Sequence, residues 1–421
     1  MFAWGANSHG QLGIGTFEDK HTPTKVALDA NPQLISGGGA HSLLVCESDT
    51  VYTAGRITET KFEGSSTFRS QLFNTEELDG PVKQVSSGWD FSLLLTASGH
   101  VLCCGRNTPG FRCSASLDSE TPKWFNGLTR LPLKSVRAVS AGLRHAVTVS
   151  DSGVVQNWTR RPDYQRFHGT DHIVNLSAVR EDAGLVLGCS TGAYHSVVWT
   201  DSGHVAVWGD LRFGLGGPLS APKTDANSAP EVHWIPNRFF GNERVLSVMS
   251  GWSHILALTE LGNLYTWGRA DFGQLGRTLT EASAPSTPSP SGDKPTVWPI
   301  KGKTFDPVPG RVIFGCTSEP QSPTEEVHIT RVVAGSEHCL ALDERQRLWS
   351  WGWNEHGMCG IGQVSEADNQ TSDFSIRPLD PSDSDWCLKR PFLVRFPDPK
   401  PFPRILNIGS GYGHSFAVVG T

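Results

Sequence analysis

Glu355 and His356 stand side by side in the stretch Leu348–Gly360, LWSWGWNEHGMCG, and a carboxylate next to an imidazole is a pair that could move a proton as acid and base. Cys359 closes the same stretch and a Cys103-Cys104 pair lies earlier, and thiolates are nucleophiles and metal ligands. A third candidate set is a histidine that recurs as His41, His145, His195, His254, His338 and His414. Each set falls short on partners or spacing. The Glu-His dyad has no nucleophile, cofactor loop or second carboxylate in fixed register. The nine cysteines include no C-x-x-C pair, which argues against a disulfide framework or a zinc knuckle and for reduced, buried thiols. One histidine every fifty residues or more is the spacing of a fold element, whereas metal ligands converge within about 2.0–2.1 Å of one ion. We therefore expect no cofactor, no metal and no catalytic residue. The recurring imidazole is expected to hydrogen-bond its own turn.

The elements that carry these residues recur in two forms. One is an apolar stretch, Gly-x-x-His or a substitute, a small residue and an apolar strand: ISGGGAHSLLV, VSSGWDFSLLL, VSAGLRHAVTV, CSTGAYHSVVW, VMSGWSHILAL, VVAGSEHCLAL and IGSGYGHSFAV, seven in all, with Phe91 replacing histidine in the second. The other is a strand of the Trp-Gly type, seen in FAWGANSHGQLG, VYTAGR, VLCCGRN, VVQNW, VAVWGD, LYTWGRADFGQLG and LWSWGWNEHGMCG. The chain opens on a Trp-Gly half and closes on a Gly-x-x-His half, so the counts match only if the two ends complete each other. Such repeats predict an all-β, seven-bladed propeller closed by a blade shared between the N- and C-terminal strands, since a ring removes its own sheet edges. Residues 1–421 are read as one propeller. The longer intervals before His338 and His414 place loop insertions at 278–326 and 363–403, both rich in Ser and Pro and expected as mobile loops or short appended strands.

Composition agrees: among 421 residues there are 45 Gly, 27 Pro and 14 Trp with only 19% charged, which suits short strands and turns. A net charge of −6 and no basic N-terminal tail argue against direct nucleic-acid binding. Neither a charged segment leading into an apolar core nor an apolar run near 18 residues is present, so a secretory leader or membrane span is not expected, and the cytoplasm, with or without the nucleus, is the expected location.

The pairing of Gly-x-x-His-Ser with Trp-Gly-x-Asn-x-x-Gly-Gln-Leu-Gly resembles the repeat of the regulator-of-chromosome-condensation family over essentially the whole chain. Within it, GWDF, GLRHAV, TWGRADFGQLGR and WSWGWNEHGMCG are similar to the secretion-regulating guanine nucleotide exchange factors. GWD, GSEH and WGW-x-EHG-x-CG are also similar to the fungal propellers that partner the small zinc electron carrier of diphthamide synthesis and Elongator-dependent tRNA wobble-uridine modification. The founding member's basic tail and β-wedge have no clear match. Arg56-Ile57-Thr58, Arg106-Asn107-Thr108 and Thr159-Arg160-Arg161 have lost the Gly-Gln-Leu-Gly turn.

Two places depart from the repeat in a way that bears on function. The residues between Gly and His read Trp89-Asp90, Leu143-Arg144, Ala193-Tyr194, Trp252-Ser253, Ser336-Glu337 and Tyr412-Gly413, rich in aromatics and charges that either dock a partner or satisfy each other in the channel. In LWSWGWNEHGMCG, Trp349 and Trp351 alternate as core residues, leaving Trp353, Asn354, Glu355 and His356 as the surplus. Trp89, Asp90, Arg144, Trp252, Glu337, Trp353, Asn354, Glu355 and His356 are the expected partner-binding residues. The expected function is a non-enzymatic scaffold, monomeric or in a heterodimer. Resemblance implies the small zinc carrier as its partner, with exchange factor or adaptor for a small GTPase as the alternative, and an enzyme using Glu355 and His356 as a second.

Overall fold

The computed structural model describes residues 1–56, 65–70, 79–106, 124–159, 172–174, 182–219, 231–279, 304–315, 326–362, 386–397 and 404–420. Among the described residues twenty-eight strands form seven four-stranded antiparallel sheets, the blades of a β-propeller. We number them from the sheet that contains His41 (blade 1) to the one that contains His414 (blade 7). Blade 7 is the shared one. Its strands run Ile405–Ser410, His414–Val419, Phe2–Gly5, Lys20–Lys25 from inside outward, and Phe2, Ala3, Trp4 and Gly5 pair with Ala417, Phe416, Ser415 and His414.

The second strand of each blade explains why the ring holds. His41–Cys46, Phe91–Thr96, His254–Thr259 and His338–Asp343 are buried at every position, because each such strand has a neighbouring blade against both faces. Apolar clusters accordingly form between blades: Trp4 of blade 7 packs with Leu340, Leu342 and Leu348 of blade 6. Trp351 packs with Leu256 of blade 5.

Around the axis, backbone meets backbone. A methyl group on Gly88 would lie 2.5 Å from the carbonyl oxygen of Gly142, and one on Gly142 2.7 Å from that of Gly192, so only glycine lets adjacent blades approach this closely. Main-chain bonds stitch the contact: Ala193 N–H donates to Trp252 O (3.2 Å), Trp252 N–H to Ser336 O (2.8 Å), and Ser336 N–H to Tyr412 O (3.0 Å).

Five of the six histidines that begin second strands reach outside their own blade, contrary to the sequence expectation, whereas His195 Nε2 is buried with no partner among the described residues. His41 Nε2 lies 2.8 Å from Ser92 Oγ, His145 Nε2 3.1 Å from Ser196 Oγ, His338 Nε2 2.9 Å from Ser415 Oγ, and His414 Nε2 2.8 Å from Ser42 Oγ. His254 meets Cys339 Sγ at 3.1 Å. In these five the partner is the second residue of the next blade's second strand, because adjacent second strands lie in register around the ring. Where that residue is Ala146, the preceding blade carries Phe91 in place of histidine, an apolar pair in the same slot.

The Gly-Gln-Leu-Gly turn also serves its neighbour. Trp267 Nε1 donates to Leu215 O, Trp351 Nε1 to Gln274 O and Trp4 Nε1 to Met358 O, each at 2.9 Å and each in the turn of the preceding blade. Trp208 follows blade 3, whose turn has lost this sequence, and its Nε1 is buried with no partner among the described residues.

Of the two sequence-inferred insertions, Phe305–Arg311 and Cys387–Leu393 are regular fourth strands of blades 5 and 6. Residues 280–303, 316–325, 363–385 and 398–403 lie outside the described residues.

Candidate partner-binding face

The register fixes which end of the ring carries the candidate residues. His254 pairs with Gly268, and His338 with Gly352, so the turn before each second strand and the turn after each third strand emerge together. All nine candidate residues therefore lie on one face.

At its centre gather three residues that directly follow axial glycines. Trp89 of blade 2, Trp252 of blade 5 and Tyr412 of blade 7 meet there: Trp89 stacks on Tyr412 with ring centroids 5.4 Å apart and planes at 27°. Trp252 lies 5.9 Å from Trp89 and 5.5 Å from Tyr412. Trp89 is the outermost, 44% exposed, while Tyr412 is buried enough that its phenol is pushed far above its usual range, with the Asp90 carboxylate adding to the shift. On the same face Arg144 is exposed and Tyr194 is 51% exposed.

A second cluster spans blades 4 to 6. Arg269 is held between the rings of Phe272 (4.6 Å) and Phe213 (5.3 Å), and it donates to both oxygens of Asp271 at 2.7 and 2.9 Å. Its remaining contact is a 3.4 Å approach to Glu337. Glu337 is 5% exposed, accepts from Gln274 Nε2 at 2.7 Å, and is pushed up to about 7 by burial, against the opposing pull of Gln274 and Arg269. It satisfies neighbours inside the protein, one of the two roles that the sequence left open.

The third cluster joins blades 6 and 7. His356 Nδ1 lies 2.8 Å from Asp19 Oδ2, and Asp19 Oδ1 accepts from the Asn7 N–H at 2.7 Å. Trp353 packs edge-on to His356 and tilts against Phe272. Asn354 is buried and its Oδ1 accepts from the Cys359 N–H at 2.9 Å, as Asn7 Oδ1 does from the Leu12 N–H, so Asn354 shapes its turn. Glu355 is exposed, and among the described residues the carboxylate that pairs with His356 is that of Asp19.

Among the described residues this face offers aromatic area and charge and no reactive constellation. Among the described residues no three His, Cys, Asp or Glu side chains are grouped to hold a metal. Among the described residues six cysteines are buried thiols and Cys387 is half-buried; burial pushes Cys46 up to about 11 and Cys359 up to about 12. The sequence had shown Tyr412 and Tyr194 only as variable positions. It missed Arg269 and Phe272, which could have been found as departures from the x-Asn-x-x-Gly plan in TWGRADFGQLG. Asp19 carried no signal at all.

Comparison with known proteins agrees with this architecture. A family model described as RCC1-like domain matches residues 1–417. The chain is 32% identical over 434 residues to the secretion-regulating guanine nucleotide exchange factor of Mus musculus, covering 99% of this chain and 83% of that protein. Among solved structures it is similar to human WBSCR16, with 17% identity, a TM-score of 0.72 and 100% and 99% of the two chains covered. It is also similar to Prp20p of Saccharomyces cerevisiae, with 20% identity, a TM-score of 0.72 and coverage of 100% and 91%.

Proposed function

This chain belongs to the RCC1-like domain family, and from that premise we propose that it is a protein-docking propeller whose turn face engages a small GTPase as exchange factor or adaptor in the cytoplasm or nucleus. The observation that carries the reading is the aromatic cluster at the centre of that face. Trp89, Trp252 and Tyr412 are brought together from three blades, with Arg144 and Tyr194 exposed on the same face. Aromatic anchors ringed by polar groups are the anatomy of an interface hot spot. The name of the mouse relative, an exchange factor, supplies the class of partner. An exchange factor needs no acid, base or nucleophile of its own. It acts by binding the nucleotide-free form of its partner more tightly than the loaded form, which suits a face with no reactive constellation.

The test is release of a fluorescent guanine nucleotide from purified small GTPases, together with direct binding to the nucleotide-free proteins. Trp89→Ala is expected to weaken binding about 30-fold, a hot-spot loss of roughly 2 kcal/mol. No binding to any GTPase by a folded wild-type chain would reject the reading. A second reading, a regulatory partner of the small zinc electron carrier of diphthamide synthesis and wobble-uridine modification, draws on the surplus Trp353, Glu355 and His356 in the blade 6 turn. Capture of a short four-cysteine zinc protein, lost on Trp353→Ala, would favour it instead.

A further inference from the structure

The axial cluster contains more than apolar area. Tyr412 Oη and Trp252 Nε1 are both buried and without a hydrogen-bond partner among the described residues, and so is Ser250 Oγ, two positions before Trp252 at the end of the same blade's inner strand. Buried donors are ordinarily satisfied, and these two lie on touching rings drawn from two different blades. Trp89 covers them. It is the one member of the three that is substantially exposed, and its ring is stacked on Tyr412.

We propose that this cluster is a socket for one neutral hydrogen-bond acceptor, a carboxamide or main-chain carbonyl on a protruding loop of the partner, which Trp89 uncovers and Trp252 and Tyr412 grip. The inference rests on the docking reading above and specifies what docks. An indole N–H can only donate, and a phenol in this setting supplies a second donor, so the recognised atom is an acceptor. The charge of the acceptor follows from Asp90, which is adjacent to Trp89 and acts electrostatically on Tyr412. A carboxylate or phosphate would meet that negative field with its own charge, whereas an amide oxygen would not. The aromatic walls supply area for the rest of the loop tip.

The experiment uses the full chain and two probes, acetamide and acetate, followed by saturation transfer from protein to ligand in NMR. Acetamide is expected to receive saturation from the wild-type protein and to lose most of it in Tyr412→Phe and Trp252→Phe, each of which removes one donor and retains a ring. Acetate is expected to receive none from the socket in any of the three. Equal transfer to both probes, or transfer to acetamide that neither substitution lowers, would overturn the proposal. A second measurement separates socket from scaffold: removal of an unsatisfied hydroxyl should raise the thermal midpoint of Tyr412→Phe by about 2 °C. A fall of that size would mean that the hydroxyl is already paired, which also overturns the proposal. Should the wild-type chain bind no GTPase, the functional reading fails while both of these measurements still decide the socket. Where it does bind, Tyr412→Phe should weaken the complex about tenfold, and undiminished affinity counts against the socket alone.

Discussion

Acidification should unfold this propeller abruptly below about pH 6, because six imidazoles must stay neutral for the blades to pack. Burial holds His41 and His145 down to about 4, and His195, His254, His338 and His414 down to about 3, from an ordinary 6.5. Each is a base whose folded pKa is depressed, so between 6.5 and the folded value the unfolded chain binds the proton and the folded chain does not. Stability contributed by neutrality is thus complete above about 7 and declines as pH falls. At pH 5.5 each histidine costs about 1.4 kcal/mol and the six together about 8 kcal/mol. At pH 5 the sum is about 12 kcal/mol, as large as the whole stability of an ordinary domain, roughly 5–15 kcal/mol. Tryptophan emission and circular dichroism across pH 7.5 to 4 would give the midpoint, expected between 5 and 6, and denaturant titrations at several pH values would give the slope. The paired change His145→Phe with Ser196→Ala recreates in blade 3 the Phe91–Ala146 pair found between blades 2 and 3. It should lower the slope by about one proton in six and shift the midpoint to lower pH. A wild-type chain that stays folded at pH 4, or a pair of changes that leaves the slope intact, would refute the argument.

Three further outcomes follow from the packing. Gly360→Ala sets a methyl group 2.7 Å from Trp4 Nε1 at a φ of +67°, and should lower the thermal midpoint far more than Gly15→Ala, where φ is +89° but nothing lies within 4 Å. Trp4→Ala, which empties a site with no exposure in the shared blade, should cost about 3–5 kcal/mol in urea unfolding. Arg277→Met strands the carboxylate of Asp306, whose 3.0 Å ion pair is 4% and 1% exposed, and should cost about 3–5 kcal/mol. Combining it with Asp306→Leu should restore much of the loss, as read by the same titration.

The repeated Gly-x-x-His and Trp-Gly strings made the ring and its shared blade legible, since both motifs mark the middle strands of the blades, which are almost wholly buried. The outer strands were hard to see for the converse reason. Lys20–Lys25, KHTPTK, and Ser65–Ser70, SSTFRS, lie at the rim with partly exposed faces, and no apolar alternation is demanded of them. The candidate face was legible only as departure from the repeat. Trp89 and Glu337 occupy neighbouring slots in equivalent turns, yet one is 44% exposed and the other 5%, because the blade 5 turn places Gln274 and Arg269 against Glu337. The Asp19–His356 pair joins residues 337 positions apart, and only ring closure brings them together.

That same closure sets a schedule for synthesis. Phe2–Gly5 leaves the ribosome about 410 residues ahead of its partner His414–Val419. At about 5–20 residues per second, the wait between them is roughly 20–80 s. Throughout it, a short apolar ribbon with Trp4 at its centre has one bare hydrogen-bonding edge, and the half-built ring has another. The nascent chain must be shielded from like chains until His414–Val419 arrives to latch the circle.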